Sequence, residues 1–273
     1  MFVGLIALST GWLPRLEDKP YYKLSSVLSI MDKFSREHLV DGFEFGLLPE
    51  WDSENPPLTP AQAPSTCEKH SSEEILELLK KKGFSVLTLH ASRDVGSYLC
   101  AEEKTKLAKG IRLVDESLRF CQNLSSKVCV FHFWDPWKKN FDLAGLQKVY
   151  EERRKRFSNI EFSVENIPTM IEGKTPFQLM QGFEWRTLDL KWTSMYNEFD
   201  LFAEAVEKVD NVHVQGKCQD GSFVPTVGSL DYEKALERIV SVGYAGVFTL
   251  ELEGKASYDD IAKYVKKLRK LVS

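Results

Sequence analysis

Seven polar side chains fall at or near the ends of short apolar runs spread along the 273 residues. They are His90 closing FSVLTLH (84–90), His132 in KVCVFHF (127–133), Glu165 closing NIEFSVE (159–165), Asp189 in WRTLDLK (185–191), His213 and Gln215 in NVHVQG (211–216), and Glu251 in GVFTLEL (246–252). A strand sends alternate side chains to one face, so His213 and Gln215 point the same way while Val212 and Val214 point the other. Any one of these polar groups alone reads as a satisfied core residue. Several acids converging on one mouth repel one another unless a cation or shared protons relieve them. Such a group could run metal-assisted or carboxylate-driven proton transfer.

The elements that must position these residues alternate regularly. Two further strand patterns lie at 2–8 (FVGLIAL) and 41–47 (DGFEFGL), making eight. Helical patterns are expected at 22–38, 71–82, 101–124, 142–157, 175–182, 198–208, 231–242 and 257–271, the fifth being the weakest in pattern. Ser71, Ser72, Glu73 and Glu74 form a capping signal before ILELLKKK, with Gly83 as its stop. Asp231 and Gly243 bracket YEKALERIVSV in the same way. Eight strand–helix units in a chain of this length predict an α/β fold, a single (β/α)8 TIM barrel over residues 1–273. A doubly wound open sheet is the rival, but no GxGxxG or Walker-type glycine loop follows any strand. In a barrel the strand C-termini carry the chemistry, and the polar residues above fall there.

One segment breaks the rhythm. Residues 48–70, LPEWDSENPPLTPAQAPSTCEKH, hold five of the eleven prolines and read as a Pro-rich loop insertion, either a cover over the mouth or a plain surface insertion.

Composition narrows the function classes. Lys and Arg number 36 against 40 Asp and Glu, a net charge of −4, which does not suggest a nucleic-acid surface. No apolar run approaches the roughly 18 residues that cross a bilayer. The N-terminus MFVGLIALSTGW lacks a positive n-region and reads as a strand rather than a signal peptide. Cys67, Cys100, Cys121, Cys129 and Cys218 are odd in number and show no CxxC spacing, which points to a cytoplasmic chain with reduced thiols and no zinc knuckle. Oligomeric state stays open, a homo-oligomer included.

The segments SVENIP, TLDLKW, HVQGKCQDG and VGSLDYEKALERIVSVGYAGVFTLELEG resemble the second half of the xylose isomerase-like sugar isomerase/epimerase superfamily, whose fold is also that of the endonuclease IV enzymes. The resemblance is good over about residues 159–254; the first half fits by strand order. It implies one divalent cation held by Glu165, Asp189, Gln215 and Glu251. Gln215 stands where a histidine is commoner and matches the His-x-Gln form of the hydroxypyruvate isomerase-like branch. An amide with three carboxylates is a hard oxygen set, suited to Mn²⁺ or Mg²⁺ more than Zn²⁺. His213 then bonds a neighbour or the substrate, or serves the core.

The resemblance further implies a carbohydrate or small hydroxy-carbonyl substrate, isomerised or epimerised through an ene-diolate, with Glu165 and Glu251 as the acid–base pair. Glu253 shares the strand parity of Glu251 and is the alternative. Substrate contacts are expected from His90, His132, His213, Lys191, Trp192, Trp12 and Trp134. Trp12, Trp51, Trp134, Trp137 and Trp192 all follow strand ends, where a ring covers the C–H face of a sugar or merely roofs the mouth. His90 and Arg93 in LHASRD offer an anion contact.

Two departures leave alternatives open. Trp192 stands where the family often has a histidine, and Lys191 is placed to point among the acids as Asp189 does. A lysine there could replace the metal and give a metal-free or non-catalytic small-molecule-binding barrel. The abasic-site endonuclease branch shares His90, His132, Glu165, Asp189 and Glu251. Its remaining histidine positions are Trp192, Gln215 and Phe223, and its Asp position is Gly221. That loss should abolish a trinuclear zinc site.

Overall fold

The computed structural model describes residues 4–17, 23–58 and 67–272. Eight parallel strands run β1 (Leu5–Ser9), β2 (Gly42–Gly46), β3 (Val86–His90), β4 (Val128–Phe131), β5 (Glu161–Glu165), β6 (Trp185–Asp189), β7 (Val209–Gln219) and β9 (Val247–Leu252). Each pairs with the next in this order, and β9 returns to β1, so the parallel sheet closes. Helices surround it, making the predicted single (β/α)8 TIM barrel. Of the loop insertion at 48–70, residues 59–66 lie outside the described residues, as do positions 2 and 3 of the first expected strand. Among the described residues no helix is long and apolar enough to cross a membrane.

Local chemistry sets the boundaries. Helix α2 (Ser72–Lys82) starts at a full capping box, with Ser71 Oγ accepting from Glu74 N and the Glu74 carboxylate accepting from Ser71 N; it stops at Gly83, whose φ of 68° a side chain would resist. Helix α9 (Tyr232–Ser241) starts at Asp231, whose carboxylate accepts from the N–H groups of Glu233 and Lys234. Outside the barrel, α1 (Leu24–Arg36), α4 (Lys104–Asn123), α5 (Leu143–Arg156) and α10 (Tyr258–Val272) bury their apolar faces.

Two expectations shift. Strand six, expected to reach residue 191, ends at Asp189, because that carboxylate accepts from Lys191 N (2.7 Å) and Trp192 N (3.1 Å) and so caps α7 (Leu190–Tyr196). Strand seven runs beyond the barrel and folds back as β8 (Ser222–Val224). The turn is Asp220-Gly221, with φ of 50° and 72°, the left-handed pair that a tight hairpin requires.

Phe43, Phe45, Leu89, Phe131, Phe162, Val164, Val212, Val214, Phe248 and Leu250 are buried in the layer under the helices. Many of the alternate positions are buried and polar, among them Glu44, Thr88, Ser163, Thr187, Asn211 and Thr249. Asn211 Nδ2 on β7 lies 3.0 Å from Glu44 Oε2 on β2, a bond that crosses the interior because β9 and β1 separate the two strands. Thr88 Oγ1 donates to Glu44 (3.0 Å), Thr249 Oγ1 to Asn211 Oδ1 (2.8 Å), and Ser163 and Thr187 bond each other at 2.7 Å. A hydrogen-bonded polar column thus lies beneath the mouth.

At the mouth, the described part of the long loop is tied down. Trp51 is fully buried, Asp52 bridges to His70, and Leu58 N donates to Asp94 (3.0 Å). Arg93 grips the buried Glu50 with both guanidinium nitrogens, at 2.6 and 3.1 Å.

Candidate active site

The strand ends bring one cluster together. Glu165 Oε2 at the end of β5 lies 3.2 Å from His90 Nε2 (β3) and 3.0 Å from His132 Nε2, just past β4. His90 Nδ1 donates to the Ala91 carbonyl at 2.9 Å, which leaves Nε2 to face the carboxylate. His213 on β7 is fully buried; its Nε2 lies 3.0 Å from Glu44 Oε2, and its Nδ1 lies 3.8 Å from Glu165 Oε2 and 3.9 Å from Glu251 Oε2. Asp189, at the end of β6, pairs in register with His213, and Gln215 with Glu251. Gln215 lies two residues beyond His213, on the same strand face.

Charges in this cluster pull against one another. Burial disfavours ionisation of Glu165, but His132 and His90 more than reverse this and hold its carboxyl well below the usual range. Burial likewise opposes charge on Glu44, and His213 reverses it. His90, despite burial, is raised to about 9 by Glu165 and Glu44. Asp189 and Glu251 go the other way: burial first, then neighbouring carboxylates, raise both above the ordinary range. The set is therefore short of positive charge where Asp189 and Glu251 face it.

Among the described residues three groupings could hold a cation, with ligand atoms within 4.8 Å of one another: Glu165, Asp189 and His213; Glu44, His213 and Glu251; and His90, His132 and Glu165. Asp189 Oδ2, Gln215 Oε1 and His213 Nδ1 are buried atoms with no hydrogen-bond partner. Buried acceptors left without donors are rare in folded proteins, and a cation is one standard remedy. The donor set fits a divalent ion. A recess of about 130 Å³ adjoins it, lined by Gly11, Gly46, Leu47, Leu48, His90, Arg93 and Glu251. A larger cavity of about 460 Å³ lies on the barrel's flank by α4 and α5 and touches none of these side chains.

Several residues expected to meet the substrate sit elsewhere. Lys191 is in the first turn of α7, not on the strand, and its Nζ bonds Glu253 Oε1 at 2.5 Å while lying 4.2 Å from the centre of the Trp192 ring. It is not among the acids. Glu253 is thereby engaged on the rim, with Thr226 Oγ1 on its other oxygen. Trp134 is fully buried, with its indole N–H donating to the Pro168 carbonyl at 2.9 Å, so it belongs to the core and offers no stacking face. Trp12 and Trp51 are buried as well, whereas Trp137 is 80% exposed. His213, with no exposed surface, bonds Glu44 and can reach a substrate only through other groups. Arg93 pairs with the buried Glu50 and also lines the recess beside His90. His90, His132 and Trp192 do line the mouth, half-buried.

Glu44, Thr88 and Asn211 escaped the sequence reading. The available signal was a single acid inside the apolar run GFEFG.

A family model described as xylose isomerase-like TIM barrel matches residues 34–271. Among solved structures, a D-allulose 3-epimerase from Methylomonas sp. in complex with D-allulose superposes with a TM-score of 0.64 at 12% identity, over 100% of this chain and 98% of that one. An L-ribulose 3-epimerase gives 0.61 at 15% identity over 96% and 86%. An AP endonuclease of family 2 from Brucella melitensis gives 0.58 at 14% identity over 93% and 95%. At such identities the likeness is one of fold. No curated protein matches the sequence.

Proposed function

The chain belongs to the xylose isomerase-like TIM-barrel family, and from that premise we propose that it is a divalent-metal-dependent isomerase or epimerase of small sugars. The observation that carries this reading is the pair of buried, unpartnered acceptors Asp189 Oδ2 and Gln215 Oε1 beside the carboxylates of Glu165 and Glu251. Glu165, Asp189, Gln215 and Glu251 would hold the ion. Their oxygen-dominated set favours Mn²⁺ or Mg²⁺ over Zn²⁺. When bound, such an ion supplies Lewis acidity that stabilises the ene-diolate of a hydroxy-carbonyl substrate.

The chain's own residues move the proton. In the metal-free protein burial raises the pKa of Glu251 above the ordinary carboxyl range. Glu165 is kept ionised and oriented by His90 and His132. One carboxylate takes the proton from the carbon next to the carbonyl; the other returns one to an ene-diolate carbon. Return to the opposite face of the same carbon is epimerisation; return to the neighbouring carbon is isomerisation. The structural neighbours whose names include D-allulose and L-ribulose 3-epimerase make ketoses the first class to try. Trp192 stacks under Lys191 at the rim, where a sugar's hydroxyls would pass.

A direct test incubates the Mn²⁺-loaded protein with D-allulose, D-tagatose, D-fructose and L-ribulose in deuterated water. Proton NMR should show solvent deuterium entering the carbon beside the carbonyl. A protein that binds Mn²⁺ and exchanges none of these ketoses is not the proposed enzyme. The metal-free alternative needed Lys191 among the acids, and its pairing with Glu253 weighs against that reading.

A further inference from the structure

Glu44 is a wholly buried acid of the barrel and has no part in the chemistry above. It sits on β2 with no exposed surface, and three donors from other strands converge on its Oε2: Thr88 Oγ1, Asn211 Nδ2 and His213 Nε2, each at 3.0 Å. The Thr249 hydroxyl donates to Asn211 Oδ1 (2.8 Å), which turns the amide's NH₂ toward Glu44. These bonds occupy one edge of the His213 ring and fix its rotation. The other edge, Nδ1, is buried and has no hydrogen-bond partner. It faces Glu165 Oε2 at 3.8 Å and Glu251 Oε2 at 3.9 Å. Those separations are too long for hydrogen bonds. They match two atoms bound to one ion, since ligands each about 2.1 Å from an ion lie no more than about 4.2 Å apart.

We propose that Glu44 is a positioning residue: by taking the Nε2–H of His213 it presents Nδ1 to the cation and makes His213 a ligand beside Glu165, Asp189, Gln215 and Glu251. Carboxylates that orient metal-bound imidazoles in this way are a recurrent outer layer of metal sites. The inference rests on the cation site proposed above. It adds a nitrogen to an otherwise all-oxygen set, and it assigns a purpose to the polar column under the mouth.

Mn²⁺ itself is the probe. Titration calorimetry and pulsed EPR are run on the whole protein and on Glu44→Gln, Glu44→Asp and His213→Gln, with thermal melts of the metal-free forms to confirm folding. Wild-type protein should take up Mn²⁺ with an imidazole-nitrogen coupling that disappears in His213→Gln. Glu44→Gln should weaken Mn²⁺ binding about 10–100-fold and diminish that coupling, and Glu44→Asp should recover part of both. Wild-type uptake without nitrogen coupling overturns the proposal, whatever the folding of the variants. So does a coupling that survives in His213→Gln, which would come from His90 or His132. So does Glu44→Gln binding as tightly as wild type. Wild-type protein that takes up no Mn²⁺ at all removes the cation site as well, which separates that failure from the others.

Discussion

Lys191 Nζ lies 2.5 Å from Glu253 Oε1, so its charge is spent on the rim of the barrel and not among Glu165, Asp189 and Glu251. The placement follows from Asp189, which caps α7 and turns the chain into a helix just where strand parity would have sent the lysine inward. Lys191→Met is therefore expected to leave the Mn²⁺ dissociation constant unchanged and to raise the KM for a ketose whose hydroxyls pass the rim. Calorimetry decides it: if the ammonium filled the place of the ion, its removal would tighten Mn²⁺ markedly.

Glu165→Gln and Glu251→Gln keep shape and remove charge. Each is expected to lower turnover about 10²–10⁴-fold, the usual range for losing a positioned acid or base. They should differ in the metal-free protein. His90 is charged mainly through Glu165, so Glu165→Gln should move its imidazole titration down from about 9, and Glu251→Gln should move it less. Histidine NMR on the two variants reads this; equal shifts would mean that the two carboxylates do not divide their work as described.

Most of the barrel was legible because its signals are local. FSVLTLH and NIEFSVE are β-branched runs, and Ser71, Gly83 and Asp231 mark helix ends through bonds only two to four residues long. Strand periodicity then placed Glu165, Asp189, Gln215 and Glu251 at one end. What failed to show depends on contacts that no local pattern carries. Glu44 meets His213 across 169 positions of sequence, and GFEFG alone says nothing of that partner. TLDLKW alternates like a strand to its last residue, and only the backbone N–H groups that Asp189 accepts reveal the helix start. Trp134 looks like a loop residue in FWDPW until the Pro168 carbonyl and the core close around it.

The Glu50–Arg93 pair fastens the loop after β2 to the loop after β3, and the carboxylate is wholly buried. Arg93→Met would strand that charge. The expected loss is about 3 kcal/mol, the low end for breaking a buried pair because the Arg93 side chain is 34% exposed. Urea denaturation measures it, and the double variant Arg93→Met with Glu50→Leu should recover much of the loss. A single variant as stable as the parent would mean that Glu50 is hydrated and that the loop is not held by this pair.

Asp231 offers a test in which pH and structure must agree. Its carboxylate accepts from the backbone N–H of Lys234 and Glu233 at 3.2 and 3.1 Å, and the Lys234 bond leads the lowering of its pKa below the ordinary 3.8. A depressed carboxyl stabilises the fold fully above its unfolded value and loses that contribution as pH falls through the folded value. Asp231→Ala is therefore expected to cost about 1 kcal/mol at neutrality. The gap between parent and variant should stay constant down to about pH 4 and shrink only below it. The helix it starts also serves the site, because the Tyr232 hydroxyl donates to the Gln215 carbonyl at 2.7 Å and steadies the end of β7. Fraying α9 should thus weaken Mn²⁺ binding slightly as well as lower the melting temperature. A gap that closes near neutrality, or widens in acid, would show that the carboxylate does not act as the cap seen here.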